Sequence, residues 1–305
     1  MRKVYKGYSF RKYSQWKIVE TSNNVKLLSS VSLHPESKGY ILFIHGWEGG
    51  IESGYIIRSA NFFWNHGYSI IRINLRDHGE THHLNEGLFN GSLLEETYEA
   101  IHIISKTLKN KPLYIIGFSL GGNFALRIAE KHSKTRKKVK LLEQIFSICP
   151  ALDPYEATLL LDKSLIFRKY FLKAWKDSLI KKQKLFPYLY DFKDLLNSRS
   201  VMELTEKMIP RFSPFTNIHE YFSTYTLKKT FFAKIKIKTT IFASKDDPVI
   251  PYQHFLEIEN NENVLISLQE NGGHCGFILN LKDDTWYSNE ILQRIQKNLL
   301  NEIGK

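Results

Sequence analysis

One stretch, Leu113 to Gly122, constrains this chain more than any other. Leu113-Tyr114-Ile115-Ile116 is a short apolar run of the kind shown by a strand buried on both faces. Gly117-Phe118-Ser119-Leu120-Gly121 follows as Gly-x-Ser-x-Gly, and Asn123 to Glu130 reads as an amphipathic helix. Strand, tight turn and helix in that order force the central residue into a strained backbone conformation. Glycine two residues to either side lets strand and helix pass without a Cβ clash. The Ser119 hydroxyl is then expected to stand exposed at the carboxyl end of a sheet, beside a helix N-terminus.

The rest of the chain supplies that sheet. Trp16–Glu20 and Val25–Val31 read as a hairpin around Ser22-Asn23-Asn24. Tyr40–Ile44 reads as the first buried strand, Tyr55–Trp64 as a helix, Tyr68–Asn74 as a strand and Leu93–Leu108 as a helix. Leu141–Ile148 is the next strand. Alternation of this kind implies a mostly parallel sheet with helices on both faces. It stops at Pro150, and from Ala151 to Lys229 only helices are legible. It resumes with strands at Lys238–Ala243 and Val264–Leu268 and a closing helix over Trp286–Ile303. The expected organisation is a core of residues 1–150 and 230–305 interrupted by a helical cap at 151–229.

A serine hydroxyl is a weak nucleophile until a base takes its proton, and the base needs an orienting acid. On a sheet of this kind the order along the chain is Ser, then Asp or Glu, then His. Asp246 and Asp247 both follow the strand that ends near Ala243. Asp247 fits better, with Ser244 three residues before it and Pro-Val-Ile-Pro after it. Eleven histidines are present, but His274 sits between glycines in the loop past the last strand. Acyl transfer also needs N–H donors aimed at the developing oxyanion. The expected donors are the backbone N–H of Leu120, at a helix start, and that of Trp47, in the turn His45-Gly46-Trp47. Asp77, His78, His82 and His83 have the residue types of a metal site. No matching cluster lies elsewhere in sequence, so a loop lining the mouth, held by an Arg76–Asp77 contact, is the expectation. The chemistry needs no cofactor and no metal.

These residues resemble the α/β-hydrolase superfamily, and within it the YheT-like branch of esterases and lipid-acting relatives. His45-Gly46-Trp47-Glu48-Gly49, Ile73 to Gly79, Gly117 to Asn123, Asp246-Asp247-Pro248 and Gly272 to Gly276 carry the resemblance, together with Ala151-Leu152-Asp153-Pro154 and Arg168-Lys169-Tyr170-Phe171. It runs from about Tyr40 to Phe277. Ser244 departs from it, standing where glycine or alanine is more usual. The resemblance implies an α/β-hydrolase fold and hydrolysis of carboxylic esters of small to medium acyl chains.

Composition bounds the remaining choices. The chain has 305 residues, 43% hydrophobic and 24% charged, ordinary for a soluble globular protein. Its net charge of +12 comes from lysine spread over the chain. That reads as a solvated surface and leaves a peripheral contact with anionic lipid open; no nucleic-acid motif accompanies it. The two cysteines, Cys149 and Cys275, offer neither a disulfide framework nor zinc spacing, and both are expected as buried free thiols. Met1 to Phe10 lacks an apolar signal core, and no apolar run is long enough to span a bilayer, so a soluble cytoplasmic protein is expected. Oligomeric state has no signature here.

In the expected cap, Phe167, Phe171, Trp175 and Leu179 form one apolar stripe at helical spacing, with Lys163, Lys169, Lys173, Lys176, Lys181, Lys182 and Lys184 on the other faces. The stripe packs on the core, lines an acyl pocket over Ser119, or does both. Tyr221, Phe222 and Tyr225 would form a second wall. The expected partner is a small-molecule ester or acyl compound. A thioesterase or acyltransferase would use the same three residues. A non-catalytic binder of a hydrophobic ligand is the alternative of a different class.

Overall fold

The structure, a computed structural model, describes residues 8–279 and 285–303, with side chains as far as residue 298. Most of the polar N-terminal stretch lies outside the described residues. The hairpin is β1 (Ser14–Glu20) and β2 (Lys26–Ser32). Then come β3 (Tyr40–Ile44), α1 (Gly54–Asn65), β4 (Ser69–Ile73), α2 (Leu94–Lys106), β5 (Leu113–Phe118), α3 (Leu120–Lys134) and β6 (Leu142–Ile148). Four helices follow without a strand: α4 (Pro154–Lys163), α5 (Leu165–Leu185), α6 (Val201–Phe212) and α7 (Ile218–Ser223). The sheet resumes with β7 (Lys238–Ser244), α8 (Gln253–Leu256) and β8 (Val264–Gln269), and α9 (Trp286–Ile303) closes the chain.

The strands lie in the order β1-β2-β4-β3-β5-β6-β7-β8. The hairpin joins β4 antiparallel, and every pairing from β4 to β8 is parallel. Every residue of β3, β4 and β5 is buried, as a parallel strand covered on both faces requires. The period of two along these strands divides the core. Tyr40, Leu42 and Ile44 join Leu113 and Ile115 in one apolar cluster. Ile41 and Phe43 join Tyr114, Ile116 and Phe118 in another. Residues 151–229 have a third cluster of their own, built around Leu179, Phe192, Leu204 and Met208.

The helices of this segment start where polar side chains take over orphan backbone donors. Asp153, Ser164, Ser200 and Asn217 each accept from the N–H three residues on. At α6 Glu203 in turn accepts from the N–H of Arg199, the residue before the cap. Pro154 occupies the first turn of α4, where a missing N–H costs nothing.

Two expectations need correction here. Lys182 is not on a solvated face of α5; it is fully buried. Its Nζ donates to Asp77 Oδ1 at 2.8 Å and to the carbonyls of Asn85 at 2.5 Å and Gly87 at 3.1 Å. Helical spacing puts it one turn beyond Ser178 and Leu179, on the side of α5 that meets the loop after β4. The second correction follows from the first. Arg76 and Asp77 are not partners: Arg76 pairs with Glu96 on α2, and Asp77 takes Lys182. Burial pushes the Asp77 carboxyl upward, and the ion pair with Lys182 pulls against it.

Removing one member of a buried ion pair strands the other. Lys182→Met is therefore expected to lose about 3–5 kcal/mol of stability. Lys181→Met, which removes an exposed pair with Glu80, should lose about 0–1 kcal/mol. Urea denaturation of both variants checks the contrast, and equal losses would mean that Lys182 is no anchor.

Candidate active site

Ser119 sits between β5 and α3 with φ 53° and ψ −117°. That is a left-handed backbone, unfavourable for a residue with a side chain. The packing around it leaves no alternative. A Cβ on Gly117 would lie 2.1 Å from the Gly121 carbonyl oxygen. A Cβ on Gly121 would lie 2.3 Å from that of His45. The chain can turn this sharply against β3 only with glycine at both positions.

The loops after β7 and β8 converge on the serine. His274 Nε2 lies 3.0 Å from Ser119 Oγ, and His274 Nδ1 lies 2.9 Å from Asp247 Oδ2. The other carboxylate oxygen of Asp247 accepts from the N–H groups of Val249 and Ile250, at 2.8 and 3.0 Å. Of the two adjacent carboxylates, Asp247 is the one that reaches the imidazole. Asp246 does something else: its Oδ1 accepts from the N–H groups of Gly272 and Gly273, at 2.9 and 2.8 Å. Ser244, the departure from the family pattern, donates its hydroxyl to the Gly273 carbonyl at 2.9 Å. Both therefore hold the loop that carries His274. Sequence spacing identified Asp246 only as a rival acid; its contact with a loop 26 residues away had no local signal.

Loss of hydration alone would lower the His274 imidazole. The Cys275 sulfur and the Asp247 carboxylate outweigh it and raise the ring to about 9. His45 behaves in the opposite way. It is buried, and desolvation lowers it to about 4. The neutral ring accepts from the Leu75 N–H at Nε2, 3.1 Å away, which leaves Nδ1–H to donate to the Gly46 carbonyl at 2.8 Å. A neutral histidine thus shapes the turn His45-Gly46-Trp47. Gly46 packs directly against the serine, since a Cβ there would lie 3.3 Å from Ser119 Cβ.

Trp47 and Leu120 line one cavity with Ser119 and His274. Its volume is about 430 Å³, within the range of small-molecule sites. Leu120 is the first residue of α3, so its N–H is among those a helix leaves unpaired. The far wall comes from residues 151–229. Phe171 stacks on the Trp47 ring at 5.4 Å and Trp175 meets it edge-on at 5.1 Å. Tyr221, Phe222 and Tyr225 line the same cavity and belong to the third apolar cluster. The stripe of α5 is divided: Phe171 and Trp175 face the cavity, while Leu179 is buried in that cluster. Glu48, half-buried at the cavity edge, is raised to about 8, first by lost hydration and then by the Asp77 carboxylate.

Asp77, His78, His82 and His83 do not converge on a metal position. Asp77 holds Lys182, His78 Nδ1 faces the Arg76 carbonyl at 2.7 Å, His82 Nε2 faces Ser178 Oγ at 2.7 Å, and His83 is exposed.

The alpha/beta hydrolase fold family matches residues 39–281. The chain belongs to that family. Within the hydrolase fold, its sequence is 24% identical over 193 residues to monoacylglycerol lipase ABHD2 of Homo sapiens, covering 58% of this chain and 45% of that protein. It is 21% identical over 311 residues to a monoacylglycerol lipase of Saccharomyces cerevisiae, covering 98% of this chain and 66% of that one. The chain thus spans about half the length of the human relative and two thirds of the yeast one. In three dimensions it is similar to an esterase of Pyrococcus furiosus, with TM-score 0.64 and 14% identity, covering 96% of this chain and 92% of that one. Est1E of Butyrivibrio proteoclasticus gives TM-score 0.58 at 14% identity, covering 95% and 100%. At these identities the structural likeness establishes the hydrolase fold.

Gly121→Ala drives a Cβ into backbone carbonyls that cannot move aside, so at least about 3 kcal/mol should be lost, the upper range for overpacking. Gly273→Ala meets nothing within 4 Å but keeps φ at +57°. It should cost about 1–2 kcal/mol. Thermal melts of the two variants test the ranking.

Proposed function

We propose that this protein is a serine carboxylic-ester hydrolase acting on small to medium acyl chains, of the YheT-like branch. The observation that carries the reading is the hydrogen-bonded line Ser119–His274–Asp247 opening into an apolar cavity. Ser119 Oγ attacks the acyl carbonyl while His274 Nε2 takes its proton. Asp247 holds Nδ1–H and stabilises the imidazolium. The Trp47 and Leu120 N–H groups receive the oxyanion. Collapse of the tetrahedral intermediate expels the alcohol, which takes the proton from His274. Water, deprotonated by the same imidazole, then releases the acid and restores Ser119. Residues 151–229 act as the cap of this pocket. The names of the curated relatives favour a monoacylglycerol-like ester, which the aromatic wall of Phe171, Trp175 and Tyr221 suits.

The rim of the pocket supports delivery from a lipid surface. Leu165, Ile166 and Tyr170 at the start of α5 are 60%, 79% and 63% exposed, and Tyr170 also lines the cavity. Exposed Lys163 and Lys169 flank them. An anionic bilayer matches that combination. Sedimentation with vesicles should show binding to anionic vesicles and weaker binding to zwitterionic ones, with loss on joint Leu165→Ser and Ile166→Ser substitution.

Ser119→Ala should abolish both turnover of p-nitrophenyl esters and labelling by a fluorophosphonate; labelling that persists would overturn the assignment. Asp247→Asn should lower kcat on the order of 10⁴, as loss of the orienting acid does in such a triad. Only the neutral imidazole is a base, so with His274 raised to about 9, kcat/KM should climb from neutral pH and level off above that value.

Chain-length preference separates the roles of the cap. Each buried methylene is worth about 0.8 kcal/mol, or about fourfold in kcat/KM per carbon. Phe171→Ala and Trp175→Ala should flatten that slope for long esters and spare acetate. A uniform loss that follows a lowered Tm would return these rings to core packing.

A further inference from the structure

Two thiols stand beside His274 and have no part in the proposed chemistry. Cys149 follows β6, the strand beside the one that ends at Ser119, and Cys275 directly follows His274. Cys149 Sγ, Cys275 Sγ and a ring nitrogen of His274 all lie within 4.8 Å of one another. Among the described residues this is the group of three potential metal donors that converges so closely.

The backbone builds this arrangement. Both cysteines have positive φ, 45° and 62°. Such conformations cost a residue with a side chain about 1–2 kcal/mol each. The Cys275 N–H donates to Cys149 Sγ at 3.4 Å, and Cys149 Sγ lies 3.7 Å from the Gly273 carbonyl oxygen. The thiols are therefore fixed against the loop that carries His274.

We propose that Cys149, Cys275 and His274 form a binding site for a thiophilic divalent cation, Zn²⁺ or Cd²⁺, whose occupancy withdraws His274 from Ser119 and reversibly silences the site. Binding forms two metal–sulfur bonds and one metal–nitrogen bond. It releases to solvent the two thiol protons, together with the ring proton where the imidazole is charged, and oxidises nothing. Two thiolates and one neutral imidazole leave the ion with no net charge to bury.

The donor set suits such an ion. Zinc bonds of about 2.3 Å to sulfur and about 2.0 Å to nitrogen place tetrahedral donors about 3.3–3.8 Å apart. From separations of up to 4.8 Å, a contraction of about 1.5 Å at most brings the present donors to that spacing. Both ring nitrogens already have partners, Nδ1 on Asp247 and Nε2 on Ser119. A metal bond at either one breaks a link of that line, so a bound cation and a working base exclude each other. The cavity lined by His274 and Cys275 gives the ion an entrance and room for a water as fourth ligand.

The test uses the full chain with a phosphine reductant present, so that no disulfide forms. Titration with Co²⁺ alone should give a thiolate-to-cobalt charge-transfer band in the near ultraviolet that saturates at one ion per chain. Zn²⁺ should abolish the band, and Cys149→Ala should lack it. In parallel, one equivalent of Zn²⁺ should stop p-nitrophenyl ester hydrolysis, and a chelator should restore it. Cys149→Ala should hydrolyse the ester as the parent does and need at least about 10–100-fold more Zn²⁺ for the same inhibition, the cost of losing even an outer-shell partner. Should that variant fold poorly by circular dichroism, Cys149→Ser replaces it. No thiolate band, or a band that survives loss of Cys149, overturns the site. A band without inhibition overturns the silencing. The silencing rests on the esterase reading, whereas the cobalt spectrum does not, so an inactive parent enzyme that still shows the band would sink that reading and leave the cation site standing.

Discussion

The contact between β5 and α3 is the constraint on which the rest of the structure depends. Gly117 and Gly121 touch backbone to backbone, and the Gly121 Cα lies under the carbonyls of Ile44 and His45. Three consequences follow from this one close approach. β3 and β5 must be neighbours in the sheet, as they are. The residue between the glycines must take a left-handed backbone, as Ser119 does. The loop after β3 must pass beside the serine, which brings Trp47 to the cavity. A strained residue persists only where its surroundings over-determine it. Here two glycine contacts and the Ser119 N–H bond to the Ile148 carbonyl at 2.8 Å do so.

The carboxyl ends of the parallel strands then gather the polar residues. Asp247 follows β7, His274 follows β8, and the two strands are paired. Pairing alone would leave the long His274 loop free to wander. Asp246 and Ser244 fasten it through Gly272 and Gly273, so adjacent residues on one turn serve two ends. Asp247 bonds the His274 ring, and Asp246 bonds the backbone of the two residues before it. A second network joins α3 to both ends of the 151–229 segment. Asn123 Nδ2 donates to the carbonyls of Ala151 and Tyr225, each at 2.8 Å, and buried Arg127 links Asn123 to the Gly91 carbonyl. The helix that begins at Ser119 therefore also sets where the helical segment leaves and rejoins the sheet.

What the sequence revealed and what it hid divide along a physical line. Buried strands were legible because a short run apolar on both faces fits few elements besides a covered parallel strand, and β3 has the bounds expected from Tyr40–Ile44. Ser119, Asp247 and His274 were legible as candidates because each follows a strand, in the chain order nucleophile, acid, base. The contacts that depend on two distant segments were not legible. Lys182 looked like one of several solvated lysines, since its acceptors, including the Asn85 and Gly87 carbonyls, lie about a hundred residues earlier. Arg76 and Asp77 looked like partners because they are adjacent, yet neighbouring side chains on a turn point apart, and each found its charge elsewhere. Cys149 and Cys275 show no zinc spacing, because the fold closes the gap between them and the sequence does not.

Lys182 also explains why the helical segment holds an open cavity and does not collapse onto the sheet. Apolar packing is non-directional, and an aromatic stripe such as Phe171 and Trp175 would pack into any apolar floor offered to it. A buried ammonium is directional: it needs its acceptors at hydrogen-bond distance. Lys182 satisfies that need only where α5 stands against the loop of Asp77 to Gly87. One turn away, Ser178 meets His82 at 2.7 Å and adds a second fixed point. With the helix pinned at this end, its earlier turns reach across to Trp47, and ring stacking there sets a roof in place of a filled core. The cavity is then the space left between a polar hinge that fixes distance and an aromatic contact that fixes direction. An anchor of hydrophobic residues alone would supply comparable stability, but nothing in it would stop the roof from sinking onto Ser119.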